Sequence, residues 1–391
     1  MRYFVLIFFV LCCSCTNKQH TDKPINDTVP QFQINVKPLD IESDISKAVL
    51  FHGDIVCLLK NGKINVFDSL YHHKKEVEVK LANLKFDDYP LIFLYRNNLI
   101  IRDSNNKLQV LDYLYNHNSL VENNFKIDAI SFLSKYRDSF YAIGKKNIYY
   151  IPNNGPLIKI NMDNFWATKK YMAADQLYED NSYDVRECCA GEFGGNVFFV
   201  NKKTNRVTLY PATCASEIIK VNAGYFMSES LQHLAGTTEY SIILNPEKLP
   251  EPHSTKGTND KAFGCNCDTL NTEHYWYNYF ERKKIEFIHS VYNYYWAVEF
   301  TTVFTFKYKN DLFSIQVGDS ILRLVSHKNY NVRAIDTINF DQTNSLNPSI
   351  KVDNNSPKYL GLCKSGYWSR KTALIVAQGN KIDILEYKNG L

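Results

Sequence analysis

The segment Asp54–His73, DIVCLLKNGKINVFDSLYHH, recurs without a gap as Asn98–His117, NLIIRDSNNKLQVLDYLYNH. Lys63, Val66, Asp68, Leu70, Tyr71 and His73 match Lys107, Val110, Asp112, Leu114, Tyr115 and His117, an offset of 44 residues (107 − 63). Each copy reads as a hairpin. In the first, an apolar run from Ile55 to Leu59 enters the turn Lys60-Asn61-Gly62-Lys63, and the alternating Ile64 and Val66 follow. Asn-Gly predicts a two-residue turn with both residues at positive φ. Asn105-Asn106 takes that place in the second copy, because Asn enters the left-handed region more readily than most side chains.

Weaker hairpins follow at Phe140–Ile151, Asn196–Tyr210, Leu312–Val325 and Ala373–Tyr387, with one more in Tyr225–Leu244. A period of about 40–45 residues is that of a four-stranded propeller blade. Dividing about 350 folded residues by about 44–50 gives seven or eight units and predicts an all-β chain, a β-propeller of seven blades, with six and eight as the alternatives. The spacing widens in the second half, which predicts loop insertions there. The pattern resembles the propeller repeats of quinoprotein-like and WD-repeat proteins. The WD-motif Trp and the Trp-docking motif are absent, so the resemblance implies a fold and carries over no active residue. A β-solenoid or two sandwiches are the rivals, but solenoid repeats are shorter and sandwiches do not echo over 44 residues without a gap. Phe32–Val36 (FQINV) alternates ahead of the first repeat and is expected to close the ring beside Ile382–Tyr387, removing a free edge.

The chain has 391 residues, with 45 Lys and Arg against 41 Asp and Glu. That balance provides no basic field for a nucleic-acid partner. The 27 Tyr and 24 Phe favour strands. One helical candidate stands out, Thr272–Ser290.

Arg2 precedes the apolar run Tyr3–Leu11. Such a run rises about 14 Å as a helix, too short to span a bilayer but right for the apolar part of a signal peptide. Cys12-Cys13-Ser14-Cys15 and a polar stretch follow. Ser14-Cys15 resembles the end of a bacterial lipobox, although Cys12 stands where Leu, Val or Ile is usual. The resemblance implies a lipoprotein acylated, for instance by palmitate, at Cys15, with Cys13 as the alternative acceptor. Residues 1–14 are then a signal peptide, 15–30 a flexible tether and 31–391 the propeller-like domain. The membrane partner is reached through the lipid anchor, and the expected location is the outer membrane of a bacterial cell envelope.

Seven cysteines lie beyond this region. Cys188 or Cys189 is expected to bridge to Cys214 across the hairpin between them, and Cys265 and Cys267 are further disulfide candidates. Cys57 reads as a buried thiol. No metal or cofactor motif is found: Cys265-Asn266-Cys267 has the wrong spacing for a zinc knuckle, and no P-loop or nucleophile elbow occurs. The segments 156–193 and 250–290 read as long excursions, where recognition residues gather. Trp166, Tyr183, Arg186, Trp276, Tyr277 and Trp368 are the binding candidates, because Trp, Tyr and Arg dominate interface anchors. The expected role is a binding or scaffold module for a protein, glycan or peptide. The alternatives are a carbohydrate-active or other hydrolase using carboxylates of Tyr178–Glu187, and a structural part of an envelope assembly.

Overall fold

The computed structural model describes residues 30–79, 91–102, 108–125, 130–136, 139–144, 147–152, 156–160, 175–189, 195–231, 236–251, 291–318, 321–339, 358–364 and 371–388. Strand β1 (Gln33–Pro38) comes first. Blade 1 holds β2 (Ile45–Phe51), β3 (Asp54–Leu59), β4 (Lys63–Phe67) and β5 (His73–Glu78). Blade 2 holds β6 (Leu91–Tyr95), β7 (Asn98–Arg102) and β8 (Leu108–Leu111), followed by helix α1 (Ser119–Asn124). Blade 3 holds β9 (Ile130–Tyr136), β10 (Ser139–Gly144), β11 (Ile148–Ile151) and β12 (Ile158–Ile160). Blade 4 holds β13 (Asp175–Glu179), β14 (Tyr183–Cys189), β15 (Gly195–Asn201) and β16 (Val207–Pro211). Blade 5 holds β17 (Ala215–Val221), β18 (Gly224–Leu231), β19 (Thr237–Ile243) and β20 (Val291–Val298). Blade 6 holds β21 (Thr301–Tyr308), β22 (Asp311–Val317), β23 (Ile321–Lys328) and β24 (Asn331–Asn339). Blade 7 holds β25 (Lys358–Lys364), β26 (Lys371–Gln378) and β27 (Lys381–Lys388), with β1 added outside β27. The seven sheets form a seven-bladed β-propeller.

The expected closure is present. Gln33–Pro38 pairs with Lys381–Glu386, and it does so in parallel. Phe32 sets its ring against Phe306 and Phe313 of blade 6, at centroid distances of 5.9 and 4.9 Å. The first and last strands of the domain thus share one sheet and one core. The widened spacing also has its cause: β19 ends at Ile243 and β20 begins only at Val291.

The innermost strands share a device that the sequence does not announce. The register against the second strand slips by one residue at Ser46, Ser131, Leu177, Ser216 and Val303, in five of the blades. A bulge adds local twist, and the innermost strands are where seven twisted sheets crowd together. At the joint of blades 6 and 7 the contact leaves no room for a side chain. A Cβ on Gly361 would stand 2.4 Å from Val303 Cγ1 and 2.6 Å from Phe304 Cδ1.

The repeated segment turns out to encode two different turns. At the first, Gly62 alone takes positive φ, at 85°. The Gly62 N–H donates to Leu59 O, and the Lys63 N–H donates to Asn61 Oδ1. The connection is therefore a three-residue loop ending in a left-handed Gly, rather than the expected two-residue turn. At the second, Asp68 Oδ1 accepts from the N–H groups of Leu70 and His72, and Asp112 Oδ1 accepts from those of Leu114 and Asn116. Each aspartate forces a tight turn that holds its tyrosine at positive φ, 71° for Tyr71 and 61° for Tyr115. The tyrosines then reach the preceding blade. Tyr71 donates to Asp383 Oδ2 of blade 7 at 2.7 Å, and Tyr115 to Asp54 Oδ2 of blade 1 at 2.8 Å. The 44-residue repeat therefore carries a blade-to-blade tie as well as a hairpin.

Blade 4 departs from expectation. Residues 175–189 form β13 and β14 and are not a loop excursion. The hairpin read at Asn196–Tyr210 is the third and fourth strands of its blade, whereas the other echoes are second and third strands. The reason lies in the charged residues of β14. Asp184 and Arg186 pair with each other at 2.9 Å with both side chains fully buried, so a strand reads as a polar loop.

Candidate functional site

Because each blade is a meander, turns after first and third strands fall on one side of the ring and turns after second strands on the other. The two kinds of turn on the first side touch in blade 4, where the Lys202 N–H donates to Ser182 O at 2.8 Å.

Of the sequence-chosen binding residues, two are described in full. Tyr183 is buried on β14 and donates to Glu247 Oε1 at 2.6 Å. Arg186 has no exposed surface and holds Asp184. Both serve packing of blade 4. Trp166, Trp276, Tyr277 and Trp368 lie outside the described residues, as do Cys13, Cys15, Cys265, Cys267, residues 16–29 and the helical candidate Thr272–Ser290. Cys214 is disulfide-bonded. Cys188 and Cys189 stand on β14, opposite Asn196 and Gly195, with side chains outside the description. Cys57 is a free, buried thiol, and burial pushes its pKa up. In the acidic stretch 178–187, Glu179 pairs with Lys202 at 2.6 Å and Asp184 with Arg186, so two of its carboxylates are committed to ion pairs. Among the described residues no three His, Cys, Asp or Glu side chains gather to hold a metal.

The densest polar chemistry lies in the seam between blades 5 and 6. Glu217 on β17 accepts the N–H of Thr305 on β21. Thr305 Oγ1 meets Ser314 Oγ at 2.7 Å, Ser314 Oγ meets His327 Nε2 at 2.6 Å, and His327 Nδ1 meets the Tyr294 hydroxyl at 2.9 Å. One line of contacts thus runs from the innermost strand of blade 5 to its outermost strand. Burial raises the Glu217 carboxyl to about 8 and lowers the His327 imidazole to about 3, so both are neutral at pH 7. The Ser314–His327 contact has the form of a nucleophile and its base. Ser314 is completely buried, however, so no substrate reaches it, and the line is structural. Beside it, Tyr240 hydrogen-bonds Thr302 Oγ1 and accepts from Gln316 Nε2, both at 2.7 Å. Arg323 donates to Gln316 Oε1 and to the Tyr295 hydroxyl, each at 2.6 Å, and lies 3.4 Å from the Phe300 ring centroid.

The aromatic content of this seam comes to the surface along β20. Tyr295, Tyr240, Tyr294 and Tyr292 form a series of near-parallel rings, with centroids 5.1, 6.2 and 6.2 Å apart. Tyr330, in the β23–β24 turn, sets its edge against Tyr292 and Tyr294 at 5.4 and 5.7 Å. Tyr292 is 50% exposed, Tyr330 42% and Trp296 67%. The register places Tyr292 opposite Ile242 and Trp296 opposite Glu239, with one bulge between them. Tyr292 therefore stands on the sheet face of Tyr240, toward blade 6, and Trp296 on the other face. These residues were not among the sequence candidates. The signal was present as the run Tyr292-Asn-Tyr-Tyr-Trp296, directly after the second long insertion.

No family model matches the chain, and no curated protein sequence does. Among solved structures, Kluyveromyces lactis Hsv2 aligns over 88% of this chain and 98% of its own, at 9% identity and a TM-score of 0.40. The protein titled U3-55K aligns over 85% and 93%, at 10% identity and a TM-score of 0.43. The computationally designed Ika8 protein aligns over 90% and 89%, at 8% identity and a TM-score of 0.34.

Proposed function

We propose that this chain is a lipid-anchored binding module of the bacterial cell envelope, acylated at Cys15, which recognises its partner through the aromatic surface of blades 5 and 6. The observation that carries the reading is the joint exposure of Tyr292 and Tyr330, whose rings meet edge-on at 5.4 Å across the seam of blades 5 and 6. Exposed aromatic side chains grouped on a rigid sheet are the favoured anchors of recognition surfaces.

A photo-crosslinking residue placed at Tyr292 in intact cells tests the reading, with exposed Ile158 of blade 3 as the control position. A defined adduct is expected from position 292 and none from 158. Equal yields at both positions would refute the surface. In the same cells, mass spectrometry of the mature N-terminus should find an acylated Cys15. An unmodified N-terminus beyond Lys18 would remove the anchor.

A further inference from the structure

The turn repeated in blades 1 and 2 holds Tyr71 and Tyr115 inward, and at the residue before each it turns a leucine out. Leu70 is 68% exposed and Leu114 54%. Tyr113, beside Leu114, is exposed as well. Turn tips ordinarily carry Gly, Asn, Asp or Ser. The blade-to-blade tie uses the aspartate and the tyrosine but not the leucine side chain, because Asp68 and Asp112 bind the backbone N–H at the leucine position. The two tips adjoin. Lys75, which follows the first turn, donates to Leu114 O and Tyr115 O of the second at 2.9 and 3.2 Å, and the His52 ring lies 6.3 Å from that of Tyr113. Leu120, exposed on α1, comes next, and the helix cap Asn118 donates to Asn98 Oδ1 beside the β6–β7 turn at 3.0 Å. The acidic side chains of this sector are occupied: Asp68 and Asp112 by their turns, Asp54 by Lys74 and Tyr115, and Glu122 by His117. The chain also enters the propeller here. Asp383 accepts from the Tyr71 hydroxyl at 2.7 Å and from Asn35 Nδ2 at 3.0 Å, and Lys37 Nζ lies 4.8 Å from the Tyr71 ring centroid. Asn35 and Lys37 belong to β1, the first strand of the propeller.

We propose that Leu70, Tyr113, Leu114 and Leu120 form a membrane-docking edge, which dips into the interface of the lipid bilayer that holds the chain. The proposal rests on the anchor reading above and adds an orientation to it. The tether selects the occupant. Its 17 residues from Cys15 to Phe32 (32 − 15) span about 20–25 Å as a flexible chain, so an acylated Cys15 keeps the bilayer within reach of the side chains beside β1. Such a linkage makes the second contact intramolecular and raises its effective concentration, so a few apolar tips suffice. The side chains suit the place, because leucine enters the acyl boundary and tyrosine settles at the headgroup level. With its carboxylates occupied, the edge binds by burying apolar surface and not by attracting anionic headgroups, and salt does not release it. The tips belong to two neighbouring blades of seven. The ring therefore meets the bilayer by one edge, and blades 5 and 6, with Tyr292 and Tyr330, stay clear for a partner.

The test uses the full chain, purified from its membrane and reconstituted in phosphatidylcholine vesicles that contain acyl-brominated lipid as a quencher. An environment-sensitive fluorescent amino acid replaces Tyr113, or, as controls, exposed Asn61 in the β3–β4 turn or exposed Asn310 in the β21–β22 turn. Emission from position 113 should be blue-shifted and quenched by the bromolipid, at low and high salt alike, while 61 and 310 stay aqueous. Leu70→Ser, Leu114→Ser and Leu120→Ser together should lower the ratio of docked to undocked emission at 113 at least about tenfold. An unchanged urea midpoint would show that this variant is folded. Aqueous emission at 113 in vesicle-bound chain would overturn the edge and leave the anchor standing. A blue shift at 113 without quenching would overturn it too, by showing that protein and not lipid covers the tips. Equal quenching at 113 and 310 would replace the edge with the whole face of the ring. A chain that stays off the vesicles, with no lipid on its N-terminus by mass spectrometry, would remove the anchor and the edge together.

Discussion

Replacing Tyr115 with Phe removes one hydroxyl and no volume, which makes it a clean probe of the tie between blades 1 and 2. The Tyr115 hydroxyl donates to Asp54 Oδ2 at 2.8 Å and lies 3.4 Å from Phe51 O. The side chain is 3% exposed, and burial, with the carboxylate beside it, pushes the phenol well above its usual range, so it stays a donor at any working pH. A hydrogen bond to a charged group contributes about 1.5–3 kcal/mol. Asp54 keeps Lys74 at 2.7 Å in the variant, which places the expected loss in the lower part, about 1.5–2 kcal/mol. The ring stays packed edge-on to Phe51, so no cavity term is added. Urea unfolding of the full chain, followed by intrinsic fluorescence, should show a lower midpoint at unchanged slope. A cycle with Asp54→Asn should show strong coupling between the two residues. Tyr71→Phe should cost less, because Asp383 also has Asn35 at 3.0 Å, Lys381 at 3.2 Å and Lys37 at 3.4 Å. A Tyr115→Phe loss below about 0.5 kcal/mol, or strict additivity in the cycle, would refute the claim that the repeated turn fastens neighbouring blades.

Deleting the last 20 residues removes β27 and all of β26 but Lys371, and leaves β1 without its sheet, so the whole propeller should unfold; calorimetry showing the parent melting temperature would disprove the closure. The pH dependence of stability should carry two opposed limbs. The Glu217 carboxyl is raised from 4.5 to about 8, so its share of stability is complete below 4.5 and is lost as pH rises to about 8. The His327 imidazole is lowered from 6.5 to about 3, so its share is complete above 6.5 and is lost as pH falls toward 3. The two nearly cancel between 4.5 and 6.5, and of the pair only Glu217 acts from 6.5 to 8, at about 1.4 kcal/mol per pH unit. Glu217→Gln should abolish the decline from 6.5 to 8 in urea titrations, and an unchanged decline would show that another group causes it.

The architecture was legible in the sequence because blades are local. Each hairpin is built from residues near in the chain, and an exact offset between Lys63 and Lys107 survives only if the intervening strands keep their lengths. Where the signal failed, burial had reversed the usual meaning of a residue. Arg186 and Asp184 read as a polar loop and are a buried strand pair. Asn61-Gly62 reads as one turn type and takes another, because backbone bonds from Leu59 and Val79 at both ends of the loop choose the geometry.

By itself, then, the chain order determined one hairpin in each blade, the period of 44 between the first two and the identity of the closing segment, since these depend on patterns within reach of a single hairpin. Tertiary structure alone decided that β1 joins in parallel, that the repeated tyrosines fasten each blade to its predecessor, and that Tyr292, Trp296 and Tyr330 are exposed while Tyr183 and Arg186 are not. Exposure is a property of neighbours distant in sequence. Tyr292 and Tyr330 meet only because two whole blades stand side by side, and no window along the chain contains that contact.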